Sequence, residues 1–397
     1  MMLRPLMRFS LALFAGHRAL LKRLFTTSPR VIFSIFFMFV VSFDVPAQEI
    51  GFDTLQALQV TTPIPGSTIV PNDFNGDGLS DLLWFNTSIS QGSYWLMATD
   101  ATGSVTIASS RAFPIPSGYF IGATGNFNSD GLADLAITSA SRDVWWLMND
   151  GHGGFQRSRL GNYPAGWQLF GAGDVDGDGQ DDLLWLNAST CQFSYWLIKN
   201  GALVWSRAFP VECGSVPLSL GYYTLSNRIS IAWTDASRSL SIWDATPAGG
   251  FNINRLGTYG GDFESVFLAF GGGYAGGEMS YIKTDPSGMD GSSLERNFFI
   301  DGKQDEYAIQ GAWSGGGGDE VRSGGFLIQG QGVNKTGVIY NRGNTGINGG
   351  IEVCPPVDAP SPFRTGPTVS PGTCSPAFFV PTGWFQIGAD NSRVLLP

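Results

Sequence analysis

Three nine-residue segments of the chain share one frame of oxygen-bearing side chains: Asp73–Asp81, Asn126–Asp134 and Asp174–Asp182, called here the first, second and third loops. Each has Asp or Asn at positions 1, 3, 5 and 9 and Gly at position 6. A hard cation such as Ca²⁺ takes about six to eight oxygen ligands, and a Gly permits the sharp turn that brings them together. Three segments in one frame therefore predict three Ca²⁺-binding loops.

The residues after each loop exclude an EF-hand and predict β-strands. An EF-hand closes its site with a Glu at position 12 and is flanked by helices, whereas here that position is Trp84, Ile137 or Trp185. The surrounding runs are short, apolar and rich in aromatic and branched side chains, which is typical of strands. With 54 Gly and 22 Pro, the chain also leaves few windows for long helices.

This pattern repeats with a period of 48 residues, at which four arginines follow one another: Arg111, Arg159, Arg207 and Arg255. Each repeat has a second apolar run between its loop and its arginine. The dipeptides Asp150-Gly151 and Asn200-Gly201 then indicate hairpin turns. The chain is therefore built from repeated units of three or four strands.

Projected forward, the period predicts a fourth loop that begins at Tyr222, with Thr224, Ser226 and Ser230 at positions 3, 5 and 9. Since these positions hold no carboxylate, we expect this loop to bind no metal. A fifth repeat begins near Phe270. Further strands are predicted at Met279–Ile282, Asn297–Ile300, Tyr307–Ile309, Gly324–Ile328, Gly337–Tyr340, Ala377–Val380 and Trp384–Ile387.

Repeats of about 40 to 50 residues with three or four strands are typical of a β-propeller, in which each repeat forms one radial blade. We therefore predict an all-β fold, with a β-propeller over residues 48–397. The repeats are clear at 70–260 and degenerate at 261–397. About 350 residues at 48 per blade favour seven blades, and six blades with a loop-rich tail is the alternative.

The segments resemble the FG-GAP, or VCBS, repeats of integrin α-subunit propellers and of many secreted bacterial proteins. The resemblance rests on Asp73–Trp84 and Tyr94–Met97 and covers residues 70–260. It implies Ca²⁺ ligands from the side chains at positions 1, 3, 5 and 9 and from the backbone carbonyl at position 7. The implied ligands are Asp73, Asn75, Asp77, Leu79 and Asp81; Asn126, Asn128, Asp130, Leu132 and Asp134; and Asp174, Asp176, Asp178, Gln180 and Asp182.

The three loops differ in the number of carboxylates at the ligand positions. The third has four, the first three and the second two, and Asn126 departs from the usual Asp at position 1. Carboxylate number tunes Ca²⁺ affinity in such loops. The predicted affinity therefore falls in the order third, first, second.

Residues 1–47 predict a signal peptide. They hold six basic residues and one acidic residue, an apolar run at Val31–Phe43, and Val45-Pro46-Ala47 before the cleavage point at Gln48. This apolar run is shorter than the roughly 20 residues that a membrane-spanning helix needs. The alternative is that the segment stays uncleaved as a membrane anchor. We therefore expect a secreted protein, extracellular, periplasmic or at the cell surface, with no membrane span after cleavage.

The mature chain keeps 17 basic and 32 acidic residues, a net charge of −15. Such a surface argues against nucleic acid as a partner. Its four cysteines suit an oxidising compartment, and Cys191–Cys213 with Cys354–Cys374 is favoured over the two other pairings. Zinc is not expected, because the mature chain has no Cys-x-x-Cys and a single histidine.

Catalysis finds little support in the sequence. His152 is the one histidine after cleavage, and its turn predicts a solvated side chain. The tryptophans of the second strands are expected in the core, but Trp145 and Trp146 are adjacent and face opposite sides of a strand. One of the pair is a candidate exposed aromatic for a sugar or a partner. The four repeated arginines are predicted to form ion pairs with acidic loops of neighbouring blades.

The sequence thus favours a secreted, Ca²⁺-binding, non-enzymatic β-propeller, expected as a monomer. We expect its ligand to be an extracellular glycan or protein, in adhesion or lectin-like recognition. The alternative is a secreted polysaccharide hydrolase or lyase with its active site in the degenerate blades. A purely structural scaffold is a third hypothesis.

Overall fold

The computed structural model describes residues 58, 60, 70–99, 105–224, 226–258, 384 and 387, together with the strands after residue 264 that are given below. The chain divides into two units, Met1–Thr54 and Leu55–Pro397, and the described residues belong to the second. The predicted signal peptide lies outside the described residues.

The described residues form six antiparallel sheets and contain no α-helix. The first sheet contains β1 (Leu82–Asn86), β2 (Gln91–Thr99), β3 (Val105–Pro114) and β24 (Phe385–Gln386). The second contains β4 (Tyr119–Gly125), β5 (Asp134–Ser139), β6 (Asp143–Asn149) and β7 (Phe155–Asn162). The third contains β8 (Gln168–Gly173), β9 (Asp182–Asn187), β10 (Gln192–Lys199) and β11 (Ala202–Pro210).

The fourth sheet contains β12 (Val216–Gly221), β13 (Ser230–Thr234), β14 (Ser239–Ala245) and β15 (Phe251–Thr258). The fifth contains β16 (Ser265–Ala269), β17 (Glu278–Thr284), β18 (Ser292–Ile300), β19 (Lys303–Ala312) and β25 (Val394–Leu395). The sixth contains β20 (Val321–Gln329), β21 (Lys335–Arg342), β22 (Gly350–Cys354) and β23 (Phe378–Phe379).

This architecture confirms the predicted all-β propeller, and a strand overlaps each of the seven segments predicted after residue 264. The number of sheets among the described residues differs from the number of blades that the sequence favours. The described residues form six sheets, so the prediction of seven blades is not confirmed. The strand that opens each repeat, such as β4, β8 and β12, was not predicted as a separate strand.

Small residues let these opening strands approach one another closely. A Cβ on Gly122 of β4 would lie 2.6 Å from Leu169 of β8, and a Cβ on Gly171 of β8 would lie 2.5 Å from Leu220 of β12. Real side chains do not approach so closely, so both positions require glycine. The opening strands therefore pack one against the next, as expected near the axis of a propeller.

Successive sheets bury apolar side chains against each other. Leu83 and Phe85 of the first sheet pack in one cluster with Leu135 and Ile137 of the second. Further clusters join the second sheet to the third and the third to the fourth. Because alternate residues of a strand face opposite sides, each strand contributes to the cores on both of its sides. This arrangement explains why β1, β5, β9 and β13 are fully buried.

The first sheet is completed by residues from far along the chain. Phe385 pairs with Phe85, and Gln386 pairs with Trp84. The Ile387 N–H donates to the Leu83 carbonyl at 2.8 Å, and the Ile387 side chain joins the core between the first and second sheets. The last part of the chain therefore returns to its first sheet, as closure of a propeller requires.

Candidate metal centre

The second and third loops each join an opening strand, β4 or β8, to the following buried strand. All three loops have the same backbone conformation at position 6. Gly78, Gly131 and Gly179 at position 6 have φ values of 81°, 83° and 87°. These lie in the left-handed region that glycine enters without steric cost. The loop frame deduced from the sequence is therefore a repeated structural unit.

Positions 3, 5 and 7 form two overlapping turns in each loop. The Leu79 N–H donates to Asp77 Oδ1 at 2.9 Å, and the Asp77 N–H donates to Asn75 Oδ1 at 3.2 Å. The same two bonds recur in the second loop at 2.8 and 3.0 Å and in the third loop at 2.9 and 3.2 Å. The side chains at positions 3 and 5 lie toward the surface, and their oxygens accept hydrogen bonds from the loop's own backbone.

Position 1 is buried and collects amides from the turn. Asp73 Oδ1 accepts the Gly76 N–H at 2.6 Å, and Asp73 Oδ2 accepts the Gly78 N–H at 2.8 Å. Asp174 makes the same bonds to Gly177 and Gly179 at 2.6 and 2.8 Å. The loop therefore turns around the carboxylate at position 1, which accepts hydrogen bonds from the amides at positions 4 and 6.

The second loop differs at this point. Asn126 is 9% exposed, and its Oδ1 atom is buried without a hydrogen-bond partner. A buried oxygen left unpaired costs about 1 to 3 kcal/mol. A cation at this position would satisfy it, so the orphaned oxygen fits a metal ligand.

The carboxylate at position 9 connects each loop to a nearby strand: β2 for the first loop, β6 for the second and β10 for the third. Asp81 Oδ2 accepts the Phe74 N–H at 2.8 Å, while its Oδ1 accepts the Met97 N–H at 2.8 Å. Asp134 and Asp182 make the equivalent pairs of bonds. The ligand predicted from the frame is thus also a structural anchor, a role that sequence spacing alone does not reveal.

Burial makes these anionic groups costly in a chain without a cation. It raises the pKa of Asp81 and Asp182 to about 8 and that of Asp134 and Asp174 to about 7. Burial also raises the pKa of Asp73. A bound divalent cation would reverse this effect by favouring the ionised form. The electrostatics of positions 1 and 9 therefore fit a metal site.

The third loop concentrates the most charge. Oxygens of Asp174, Asp176 and Asp182 all lie within 4.8 Å of one another, a separation that one ion can span. Lys199, the last residue of β10, places its Nζ 2.9 Å from Asp178 Oδ2 and 3.3 Å from Asp176 Oδ2. The hydrogen bonds that Lys199 donates to Asp178 and Asp176 raise the pKa of its ammonium group. This cation was missed, because only the fold brings it to the loop.

Consecutive loops are joined by one repeated backbone bond. The N–H at position 8 donates to the position 1 carbonyl of the preceding loop: Ala133 to Asp73 at 2.8 Å, Asp181 to Asn126 at 2.9 Å and Ile229 to Asp174 at 2.7 Å. Beside these bonds lies a cavity of about 310 Å³, whose wall includes Asn126, Asp174, Asp178 and Tyr222. Asp181 also lines it, and burial raises the pKa of this carboxyl to about 6.

The fourth loop keeps the frame with neutral side chains. The Tyr222 hydroxyl accepts the Asp174 N–H at 3.3 Å. Thr224 and Ser226 hydrogen-bond each other at 2.9 Å, and Ser230 donates to Asp244 Oδ1 at 2.5 Å. The carboxylate that Ser230 contacts therefore belongs to β14, whereas the first three loops contain their own carboxylates.

Two of the repeated arginines, Arg111 and Arg207, reach neighbouring sheets, where they bind carbonyl groups. Arg111 donates to the His152 carbonyl at 2.9 Å, and Arg207 donates to the Gly249 carbonyl at 3.1 Å. Arg159 donates to Asn162 Oδ1 within its own sheet. Among the described residues, the ion pairs involve Lys199. The prediction of ion pairs to acidic loops is therefore wrong for Arg111, Arg159 and Arg207. The next-blade neighbours of Arg255 lie outside the residues whose side chains are described.

Neither tryptophan of the adjacent pair stands free. Trp146 is 2% exposed and donates its Nε1–H to the Gly201 carbonyl at 2.7 Å. Trp145 packs against the core between the first and second sheets, and the Arg157 guanidinium lies 4.3 Å above its ring. His152 lies in an exposed turn, with its Nδ1 2.7 Å from the Asp150 carbonyl.

The disulfide Cys191–Cys213 is present, as predicted. Cys354 lies in β22, and the predicted Cys354–Cys374 pair lies outside the residues whose side chains are described. Within the described residues, no helix is long and apolar enough to cross a membrane.

The fold and its loops define an all-β propeller protein built from repeats. Residues 73–137 and 126–185 match the family model of the FG-GAP-like repeat, which confirms that the repeats in this part of the chain are FG-GAP repeats. Among curated proteins, none matches this chain.

Two solved structures are similar to this chain at low sequence identity. AofleA from Arthrobotrys oligospora is 10% identical over 85% of this chain and 90% of its own, with a TM-score of 0.42. BBS1N, solved in complex with ARL6DN, is 11% identical over 72% of this chain and 90% of its own, with a TM-score of 0.37.

Proposed function

We propose that this protein is a secreted, Ca²⁺-stabilised β-propeller that binds an extracellular ligand and does not catalyse a reaction. The observation that carries the metal assignment is the repeated loop, with buried oxygens at positions 1 and 9. Burial of Asp81, Asp134 and Asp182 disfavours their ionised forms, and a bound cation would offset that cost. An all-oxygen donor set in a flexible loop suits Ca²⁺ better than Mg²⁺.

The metal would hold the loops that join neighbouring sheets. With about 1 mM Ca²⁺ and a Kd near 0.1 mM, one site adds about 1.4 kcal/mol to the free energy of unfolding. Three such sites would contribute about 4 kcal/mol, a large share of the stability of a typical domain. Ca²⁺ in this role is structural and supports a binding surface elsewhere.

Exposed apolar side chains on the third and fourth sheets support a binding role. Leu203, Val204 and Trp205 of β11 are 42%, 55% and 42% exposed, and Ile253 of β15 is 49% exposed. The Trp205 ring lies beside Gly249 in the turn before β15. An exposed aromatic among apolar neighbours on an outer strand is a suitable platform for a sugar ring or a partner protein. We assign ligand recognition to this surface.

Elemental analysis and thermal unfolding in EGTA, Ca²⁺ and Mg²⁺ test the metal assignment. We expect bound calcium, a fall in the melting temperature in EGTA, and fuller recovery with Ca²⁺ than with Mg²⁺. A metal-free protein whose melting temperature is the same in EGTA would refute it.

A glycan array with the purified protein tests the ligand class, with Trp205→Ala as the test variant and Ile89→Ala as the control. Ile89 is also exposed, at 58%. We expect loss of binding in the first variant alone, with both melting temperatures unchanged. Glycan turnover by the wild-type protein would contradict the non-enzymatic assignment.

A further inference from the structure

Positions 3 and 5 of the loops bring two polar side chains together, and the first two loops do so with an amide and a carboxylate. Asn75 Nδ2 donates to Asp77 Oδ2 at 2.9 Å, and Asn128 Nδ2 donates to Asp130 Oδ2 at 2.9 Å. In both loops, the amide supplies a donor to the neighbouring carboxylate. Each pair is therefore internally satisfied without a metal.

The third loop has two carboxylates at the same positions, Asp176 and Asp178, and two adjacent anions repel each other. Here the donor comes from outside the loop. Lys199 Nζ lies 3.3 Å from Asp176 Oδ2 and 2.9 Å from Asp178 Oδ2, so it bridges the pair. Lys199 thus takes the place of the amide hydrogen in the other two loops.

The fold fixes this lysine beside the loop. The N–H of the preceding residue, Ile198, donates to Asp182 Oδ1 at 2.8 Å, which anchors the end of β10 to position 9. In the first sheet, Met97 makes the same bond to Asp81 at 2.8 Å, and the next residue is Ala98. The first and third loops therefore have the same anchor, but only the third has a tethered cation.

We propose that Lys199 is an internal counter-ion of the third loop that holds Asp176 and Asp178 together without metal and competes with Ca²⁺ for them. This proposal rests on the Ca²⁺-binding function proposed above. The Lys199 side chain is 42% exposed, so it can turn into solvent when an ion enters. Counting carboxylates then overestimates the affinity of the third loop, because one of its four negative charges is already paired. The third loop loses its predicted advantage over the first.

Calorimetric Ca²⁺ titration of Lys199→Met tests the competition, since Met keeps an unbranched stem and removes the charge. Removing the competing lysine should tighten Ca²⁺ binding at the third site. Because exposed ion pairs are weak, we expect this gain to be about fivefold. In EGTA, the same variant should melt at a lower temperature than the wild type, because Asp176 and Asp178 lose their counter-ion. Ala98→Lys is the reciprocal variant, and it should weaken Ca²⁺ binding at one site by a similar factor.

Asp178→Ala assigns the effect to the third loop. In that background Lys199 keeps only its contact with Asp176, so Lys199→Met should tighten the third site by less than it does in the otherwise wild-type chain. If Lys199→Met leaves Ca²⁺ affinity unchanged in a chain whose wild type binds Ca²⁺, the competition is refuted while the proposed function stands. If the wild type binds no Ca²⁺, the proposed function fails together with the competition. An unchanged melting temperature of Lys199→Met in EGTA would independently refute the structural role of the ion pair.

Discussion

At the scale of single residues, the buried carboxylates at position 9 should make the stability of the metal-free protein depend on pH. The pKa of Asp81 and of Asp182 is raised by burial from 3.8 to about 8. Between these values the folded, metal-free protein binds more protons than the unfolded chain. Its free energy of unfolding is therefore highest below the unfolded pKa and falls as pH rises toward the folded pKa. In EGTA, we expect the melting temperature to fall from about pH 5 to pH 8.

Ca²⁺ should reverse this trend, because the ion binds the ionised carboxylates and displaces their protons. We expect Ca²⁺ affinity to rise from about pH 6 to pH 8, with proton release on binding. Calorimetry in two buffers of different protonation enthalpy measures that release directly. Equal heats in both buffers at pH 6 would show that the carboxylates are already ionised before the ion arrives.

Asn126 offers a second residue-scale prediction. Its Oδ1 lacks a hydrogen bond, whereas the carboxylates of Asp73 and Asp174 accept amides at positions 4 and 6 of their loops. Asn126→Asp should therefore tighten Ca²⁺ binding by supplying both a charge and those bonds. Asn128→Asp adds the same charge but removes the amide that donates to Asp130. We expect titration to show the larger gain for Asn126→Asp; equal gains would mean that charge alone sets affinity.

At the scale of elements, the third sheet carries a disulfide where the first sheet carries two serines. The Val211 N–H donates to the Cys191 carbonyl at 3.0 Å, and the Ile115 N–H donates to the Ser90 carbonyl at 3.0 Å. Cys191 and Ser90 share φ values of 52° and 51°. Cys213 stands two residues after Val211, and Ser117 stands two residues after Ile115. The two sheets therefore present one backbone site with and without a covalent link.

Because the two sites are equivalent, removing the disulfide of the third sheet should destabilise the protein, and introducing one in the first sheet should stabilise it. Replacing both Cys191 and Cys213 by Ser should lower the free energy of unfolding by about 3 kcal/mol, because the bond closes a loop of 22 residues. The paired variant Ser90→Cys and Ser117→Cys should form a new disulfide and raise it by a similar amount. Chemical denaturation with and without reductant measures both. A new disulfide that destabilises the protein would show that the two sites differ in geometry.

The elements also show where sequence reasoning reached its limit. Loops and buried strands were predicted because their signals are local: an Asp frame with a Gly, then an apolar run. The opening strands β4, β8 and β12 were missed because they contain small residues such as Gly122 and Gly171, which weaken a strand signal. Those glycines are required by side chains of the neighbouring sheet, Leu169 and Leu220. The bridge from Lys199 to the third loop was missed for the same reason, since it depends on the fold rather than on spacing.

At the scale of the whole molecule, the stability of the first sheet should depend on its distant partner β24. Ile387 is 5% exposed, its side chain lies in the core between the first and second sheets, and its N–H bonds to the Leu83 carbonyl at 2.8 Å. Since a propeller blade cannot bury both faces alone, loosening β24 should weaken β1 although more than 250 residues separate the two strands. Ile387→Ala should therefore cost about 2 to 5 kcal/mol.

Ile89→Ala is the matched control, because Ile89 is 58% exposed and its loss should cost less than about 0.5 kcal/mol. Urea unfolding gives both free energies, and amide hydrogen exchange locates the effect. Faster exchange in β1 of Ile387→Ala, with little change in β9 of the third sheet, would place the defect at the joint between the two ends of the chain. If both variants unfold alike and β1 stays protected, the pairing of β24 with β1 does not hold the first sheet. Its cohesion would then come from the core that it shares with the second sheet.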